Sequence, residues 1–378
     1  MKNRQVLDIH VVQTVPPSCL NRDDTGSPKT AIYGGVQRAR VSSQSWKHAI
    51  RLMFRENLNE SELGTRTKKI DAMVAEKIEQ KSDLTADEAM LLAELVLNAA
   101  AVTTKDQEAR ALFFMSDKQA DNLAVLALDA WLVDERTPDK ALLGQMKKTY
   151  QVALNKGSGI DIALFGRMVA DDPSLNTDAS AQVAHAISTH RVDNEYDYFT
   201  AVDDRAPEDN AGAGMIGTIE FNSATLYRYA TVAIHELHKQ LACDTDATTR
   251  AITEFVRAFI TSMPSGKQNT FANRTPADAV LICLRDDQPV NMVGAFEEAI
   301  KLRPDDSGYV KPSIKRMAEY IIGTLSSFVD EPVRTWAIGS DFSGLAEPAS
   351  LASVLASITE SIQSAVGATT GSNSENEG

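Results

Sequence analysis

A chain of 378 residues with 43% hydrophobic and 24% charged residues has the balance of an ordinary globular protein, not a disordered or fibrous one. No apolar run reaches the 18 residues a membrane-spanning helix needs, and the charged N-terminus lacks the apolar core of a signal peptide; a cytoplasmic protein with no membrane partner is expected. The net charge of −14 excludes a protein that coats itself with nucleic acid all over, because phosphate binding draws on Lys and Arg.

In chain order, residues 5–14 are rich in β-branched residues and predict a strand, followed by a loop broken by Pro16, Pro17, Gly26 and Pro28. A second strand around Val36–Val41 leads into a helix from about Ser43 to Leu58. Trp46, Ile50, Met53 and Phe54 share that helix's buried face. Residues 60–155 read as wholly helical, with capping boxes at Thr85/Glu88 and Ser116/Gln119. Beyond Gly159 the pattern predicts a strand at Ile160–Met168 and a short helix at Ala181–Ser188. Residues 190–214 read as a protruding hairpin or loop. Strands follow at Met215–Phe221 and Thr225–Ile234, joined at Asn222-Ser223, then a helix at about Ala247–Met263 and a strand at Ala279–Leu284. The remaining predicted elements are helices at about 291–301, 312–328 and Leu351–Ala365, and a disordered tail. Intermixed strands and helices without regular βαβ units favour an α+β fold with an antiparallel sheet.

The basic charge is concentrated. From Thr25 to Arg55 there is no Asp or Glu, and Lys29, Arg38, Arg40, Lys47, Arg51 and Arg55 contribute +6, so the rest of the chain carries −20. Arg38 and Arg40 lie on one side of a strand. Ser42, Ser43 and Gln44 open a helix whose unsatisfied N–H groups favour a phosphate, and Lys47 and Arg51 project from one helix face. Such an array grips a nucleic-acid backbone without reading bases; a solvated amphipathic helix with a serine cap is the structural alternative. The loop Ser265-Gly-Lys-Gln268 offers one cation and backbone N–H groups but lacks P-loop spacing. Arg167 and Met168 end the predicted strand as a cation and a possible wedge, the alternative being core packing. Tyr198 and Phe199 form an aromatic pair suited to stacking or docking. His235 and His238 stand three apart, not in HExxH spacing, so no metal site is expected, and His185 and His190 read as structural. Asp23 and Asp24 are adjacent loop acids for which metal-assisted phosphodiester cleavage is one reading and an Asx-turn the other. Cys19, Cys243 and Cys283, odd in number and far apart, predict free thiols in a reducing compartment.

Several ordered blocks carry a family resemblance. They are Ser18-Cys-Leu-Asn-Arg-Asp-Asp24, Ala31-Ile-Tyr-Gly-Gly35, Arg40-Val-Ser-Ser-Gln-Ser45, Asp161-Ile-Ala-Leu-Phe-Gly-Arg-Met168, Ala184-His-Ala-Ile-Ser-Thr-His190, Asp197-Tyr-Phe-Thr-Ala-Val-Asp-Asp204, Tyr227-Arg-Tyr-Ala230, Gly266-Lys-Gln268 and Lys311-Pro-Ser313. The chain resembles the CasC family, the repeated backbone subunit of type I-E CRISPR Cascade. That resemblance implies a modified RRM-like (ferredoxin-like) antiparallel palm over residues 1–58 and 156–366. It further implies helical fingers inserted at 59–155, a thumb hairpin within 190–214, and a tail at 367–378. It implies a subunit without catalysis, cofactor or metal that polymerises with copies of itself along CRISPR RNA, beside other Cascade subunits, and presents guide bases to target DNA. Arg22, Lys29, Arg40, Ser42, Gln44, Lys47 and Arg51 would hold guide phosphates, Lys267 and Gln268 would line the groove, Met168 would wedge under bases, and Phe199 with Val202 would tip the thumb. Family members often carry a cation where Val36 or Gln37 stands in this chain, so the resemblance does not imply direct DNA contact by that stretch.

Overall fold

The computed structural model describes residues 4–133, 144–169, 172–201 and 215–371. The chain divides into two compact units, one built from 1–50, 183–231 and 255–358, the other from 51–182, 232–254 and 359–378. The first opens with β1 (Val6–Ser18), the hairpin of β2 (Thr30–Tyr33) and β3 (Val36–Val41), and the start of α1 (Ser43–Asn57). The second supplies β4 (Gly64–Thr67), α2 (Ile70–Glu79), α3 (Ala86–Ala99), β5 (Thr104–Lys105), β6 (Glu108–Ala109), β7 (Phe113–Ser116), α4 (Asp117–Val133), α5 (Lys147–Asn155) and α6 (Ile160–Phe165). After β8 (Ala181–Val183) the first unit resumes with β9 (Ala186–Ser188), β10 (Glu195–Ala201) and β11 (Met215–Ala233). Next come α7 (Ile234–Gln240) and α8 (Thr245–Thr261), then α9 (Gln268–Phe271), β12 (Ala279–Arg285), α10 (Val310–Ser327), β13 (Arg334–Ile338) and α11 (Leu351–Gly371).

The main sheet runs β13-β12-β1-β11-β9-β3-β2, with β10 and β8 also pairing β11. Its registers are antiparallel, for example Ile9 opposite Ile282 and Arg40 opposite Ile187. Central β1 is buried on both faces from Val6 to Val12, which is why its sequence is nearly continuously apolar instead of alternating. Its polar exceptions are partnered. Asp8 accepts from Tyr229 Oη (2.8 Å) and Val290 N (2.9 Å), and His10 Nδ1 meets Tyr227 Oη at 2.9 Å. The same core takes in Leu281, Phe296, Met317 and Ile321; truncating Phe296 to alanine there would cost about 3–5 kcal/mol.

In the second unit, α2, α3, α4 and α5 pool Ile70, Val74, Leu92, Val96, Leu123, Tyr150 and Leu154 into a separate core. Both predicted capping boxes form. Thr85 N donates to Glu88 Oε2 (2.9 Å) while Glu88 N donates to Thr85 Oγ1 (3.4 Å), and Ser116 N donates to Gln119 Oε1 (3.0 Å) while Gln119 N donates to Ser116 Oγ (3.1 Å).

Several local expectations are corrected. Ile160–Phe165 is a helix, not a strand; a short apolar run does not distinguish the two. Ala181–Ser188 forms β8 and β9 because pairing with the sheet overrides alanine's helix preference. Asn222-Ser223 is no turn: β11 runs unbroken from Met215 to Ala233, and Asn222 Nδ2 donates to Asn194 Oδ1 (3.0 Å). The expected helix near 291–301 is a 3-10 turn at Met292–Phe296. The 60–155 stretch contains β4 to β7 as well as helices, and α11 runs to Gly371, past the expected start of the tail. Residues 372–378 lie outside those described.

Candidate nucleic-acid interface

Exposed Arg22 and half-buried Lys29 and Arg40 of the first unit lie beside the β2–β3 hairpin and the start of α1. Lys29 N donates to Asn21 O (2.8 Å) and Arg40 N to Lys29 O (2.9 Å), which ties the loop carrying Arg22 to the hairpin. Arg40 is fixed at Nε by Thr30 O (3.1 Å), and its Nη1 meets His185 Nδ1 at 3.3 Å. Ser42 caps α1: Ser45 N donates to Ser42 Oγ (3.3 Å), and Ser42 N donates to Asn21 Oδ1 (2.9 Å). Ser42 is therefore buried and committed to the cap, whereas Ser43 is half-buried and Gln44 exposed at the helix opening. Lys47 is half-buried one turn on, and burial lowers its ammonium below the usual lysine range.

The loop before α9 meets the same region. A Cβ on Gly266 would overlap the Leu20 carbonyl, so only glycine lets the two backbones touch. Lys267, left-handed at φ 52°, is half-buried, and Gln268 is exposed. Arg22 and Lys267 both act electrostatically on the buried Cys19 thiol, which places them around one point. Among the described residues, Arg22, Lys29, Arg40 and Lys267 form no ion pair. Asp23 and Glu220 act on the same thiol with the opposite sign, but none of the four cations is paired with a carboxylate among the described residues, so their charge beside a helix start is left available to a polyanion.

Three other candidate cations are structural. Arg38 is fully buried and donates to Ser188 O (2.9 Å), Phe296 O (2.8 Å), Glu297 O (3.2 Å) and Tyr33 O (3.2 Å). Pleating puts it on the same side of β3 as Arg40, but its side chain enters the protein, and desolvation holds its guanidinium below the ordinary range. Arg167, buried in the second unit, donates to Leu175 O (3.0 Å), Phe114 O (3.2 Å), Leu154 O (3.1 Å) and Asn155 Oδ1 (3.1 Å), and burial lowers it to about 10. Arg51 pairs with Asp161 at 3.4 Å and stacks on Phe114. The expectation that Arg38 and Arg167 face a phosphate chain is corrected by where their donors go, while Arg51 commits its Nε to Asp161.

Arg228, which sequence reading passed over, is also buried, with Trp46 3.6 Å from its guanidinium and Gln13 Oε1 at 2.6 Å; burial lowers it to about 9. Its signal was an arginine flanked by aromatic and apolar residues in the strand segment Leu226–Ala230.

Met168 is 87% exposed in the second unit, presented directly after the anchored Arg167. On the β10–β11 hairpin Tyr196 and Tyr198 are exposed on one face, and Phe199 lies over Gly217 opposite it. Val202 lies outside the described residues. Asp23 Oδ1 accepts from Thr25 N (2.9 Å), Thr25 Oγ1 (2.7 Å) and Ser27 N (3.0 Å), an Asx-turn that holds its carboxyl below the usual range. Asp24 is exposed beside it. His235 and His238 sit on helix α7, and His238 Nδ1 meets Thr248 Oγ1 at 2.9 Å. Among the described residues no group of three or more His, Cys, Asp or Glu is arranged to hold a metal.

An antiparallel-sheet α+β protein with a cluster of unpaired cations beside a helix start is the class that fold and site define. The chain belongs to the CT1975-like protein family, whose sequence profile matches residues 7–364. No curated protein matches it. Among solved structures it is similar to a chain of a "CRISPR RNA-guided surveillance complex, pre-nicking", with 32% identity, a TM-score of 0.77, and coverage of 94% of this chain and 100% of that one. A chain of a second "CRISPR RNA-guided surveillance complex" is 27% identical with a TM-score of 0.60, covering 94% and 99%.

Proposed function

We propose that this protein is a non-catalytic backbone subunit of a type I-E CRISPR surveillance complex that grips CRISPR RNA by its ribose-phosphate chain. The observation that carries the reading is the cluster of Arg22, Lys29, Arg40 and Lys267, which form no ion pair among the described residues, at and beside the acid-free stretch Thr25–Arg55 of an acidic chain. A guide must be held whatever its sequence, so cations and helix N–H groups engage phosphate while base edges stay free for target DNA. In this reading the first unit is the RRM-like palm, the α2–α5 bundle the fingers, and β10–β11 the thumb. Met168 wedges under bases, Tyr198 and Phe199 meet the RNA or the next copy, and copies assemble along the guide with other Cascade subunits in the cytoplasm. The similarity to chains of RNA-guided surveillance complexes supports this reading.

Copurification of guide RNA with tagged protein tests it. Lys29→Glu with Arg40→Glu should abolish copurification in a folded variant, and full retention of RNA would remove the cradle. Incubating the assembled complex with complementary RNA and Mg²⁺ tests the absence of catalysis; cleavage lost in Asp23→Ala would establish a nuclease instead.

A further inference from the structure

His185 sits on the turn between β8 and β9, exposed, and its Nδ1 faces two donors at once: Ser43 N at 3.4 Å and Arg40 Nη1 at 3.3 Å. A backbone N–H and a guanidinium only donate, so Nδ1 must carry the lone pair, and the ring is the neutral tautomer with its proton on Nε2. The charged groups facing it are Arg40 from β3 and Lys29 from the segment before β2, with the α1 start adding the positive end of a helix; no carboxylate contributes. Partial burial and these two cations hold the imidazole below its usual range.

The imidazole nitrogen thus stands where an anion's oxygen belongs, accepting from a first-turn helix N–H and from an arginine. We propose that His185 is a phosphate-exchange residue of the cradle: its Nδ1 holds the Ser43 N–H and the Arg40 guanidinium until a ribose-phosphate oxygen takes both donors over, and the released imidazole takes up a proton. The proton comes from a solvent or buffer acid, whose bond to hydrogen breaks as the Nδ1–H bond forms, and no bond between heavy atoms changes. Bound phosphate offsets the charge of Arg40 and Lys29 and favours imidazolium, so binding and protonation reinforce one another. The inference rests on the backbone-gripping reading above and adds to it a proton-linked residue.

The test is a titration of the full chain with fluorescein-labelled oligouridine at fixed ionic strength. Wild type should bind about five- to tenfold more tightly at pH 5.8 than at pH 7.8, since one linked proton changes affinity by at most about tenfold per pH unit. Calorimetry near pH 6.8 in buffers of different ionisation enthalpy should read proton uptake on binding, and the His185 ring nitrogens should shift towards the imidazolium signature when RNA is added. His185→Gln should flatten the pH profile, while His48→Gln on the exposed part of α1 should keep it. A flat wild-type profile, no proton uptake, or a pH dependence preserved in His185→Gln overturns the proposal. Failure of wild type to bind oligouridine at either pH overturns the phosphate-gripping reading beneath it.

Discussion

Arg40 at the edge of the first unit and Arg167 inside the second are the same residue put to opposite uses. Arg40 has Nε on one carbonyl and its fork against an imidazole, in a neighbourhood without paired acids. Arg167 is closed in by carbonyls and two side-chain amide oxygens and packs 4.8 Å over Phe113. Buried, a guanidinium organises backbone that has no other donor; at the rim, it is a charge waiting for a counter-ion. The sign of the charge does not separate these roles, but the number of carbonyls around it does.

The sharpest way to break that contrast is to remove each guanidinium. Arg167→Met should destabilise the chain by about 3–5 kcal/mol, because several buried acceptors lose their donor together. Arg40→Ala should stay within about 0.5 kcal/mol of wild type. Urea unfolding of both variants measures this, and equal losses would erase the distinction. Function should order them the other way. Lys29→Glu with Arg40→Glu should weaken oligouridine binding about a hundredfold at low salt and flatten the plot of log affinity against log salt by about 0.7 per lost phosphate contact. An unchanged slope would mean these cations do not face the RNA.

How much of this was legible from residues alone follows the same contrast. The acid-free stretch pointed to the right neighbourhood, because exclusion of carboxylates over many positions is a one-dimensional signal that survives folding. It could not tell Arg38 from Arg40. Their two-residue spacing places them on one face of β3, and only the arrival of Ser188, Phe296 and Glu297, far along the chain, closes over one and not the other. Arg167 was misread for the same reason: its acceptors come from β7, α5 and the segment after α6. His185 was taken as structural because Ser43 and Arg40 are distant in sequence and only the β3–β9 pairing brings them together. Capping boxes, whose partners are three residues apart, were read correctly. Short strands such as β2 and β13, which need neighbours to exist, were not.

Between the two extremes lies the loop that presents Lys267. Gly266→Ala would push its Cβ into the Leu20 carbonyl and must shift one backbone. The expected loss is about 1–2 kcal/mol of stability, with a several-fold loss of RNA affinity as Lys267 moves. An alanine variant with wild-type unfolding and binding would show that the close approach does not position the lysine.

The smallest effect probes buried charge where it can titrate. Arg167, lowered to about 10, keeps its proton through the neutral and acid range, but Asp8 and His10, on one face of β1, do not keep fixed charges. Burial raises Asp8 to about 6 and lowers His10 to about 3. The signs oppose. His10 contributes stability that is present above its unfolded value near 6.5 and is lost as pH falls towards 3. Asp8 contributes stability that is present below its unfolded value of 3.8 and is lost as pH rises through about 6. Between pH 4 and 6 the native state takes up a proton at Asp8 while the unfolded state takes one up at His10, so the two slopes largely cancel. Asp8→Asn removes one of them. Its stability should then fall on acidification from pH 6 to 5 by up to about 1 kcal/mol more than that of wild type, read from urea midpoints at each pH. Parallel profiles for the two proteins would mean that Asp8 is ionised in the fold, held by Tyr229 and Val290 strongly enough to keep its charge as Arg167 does.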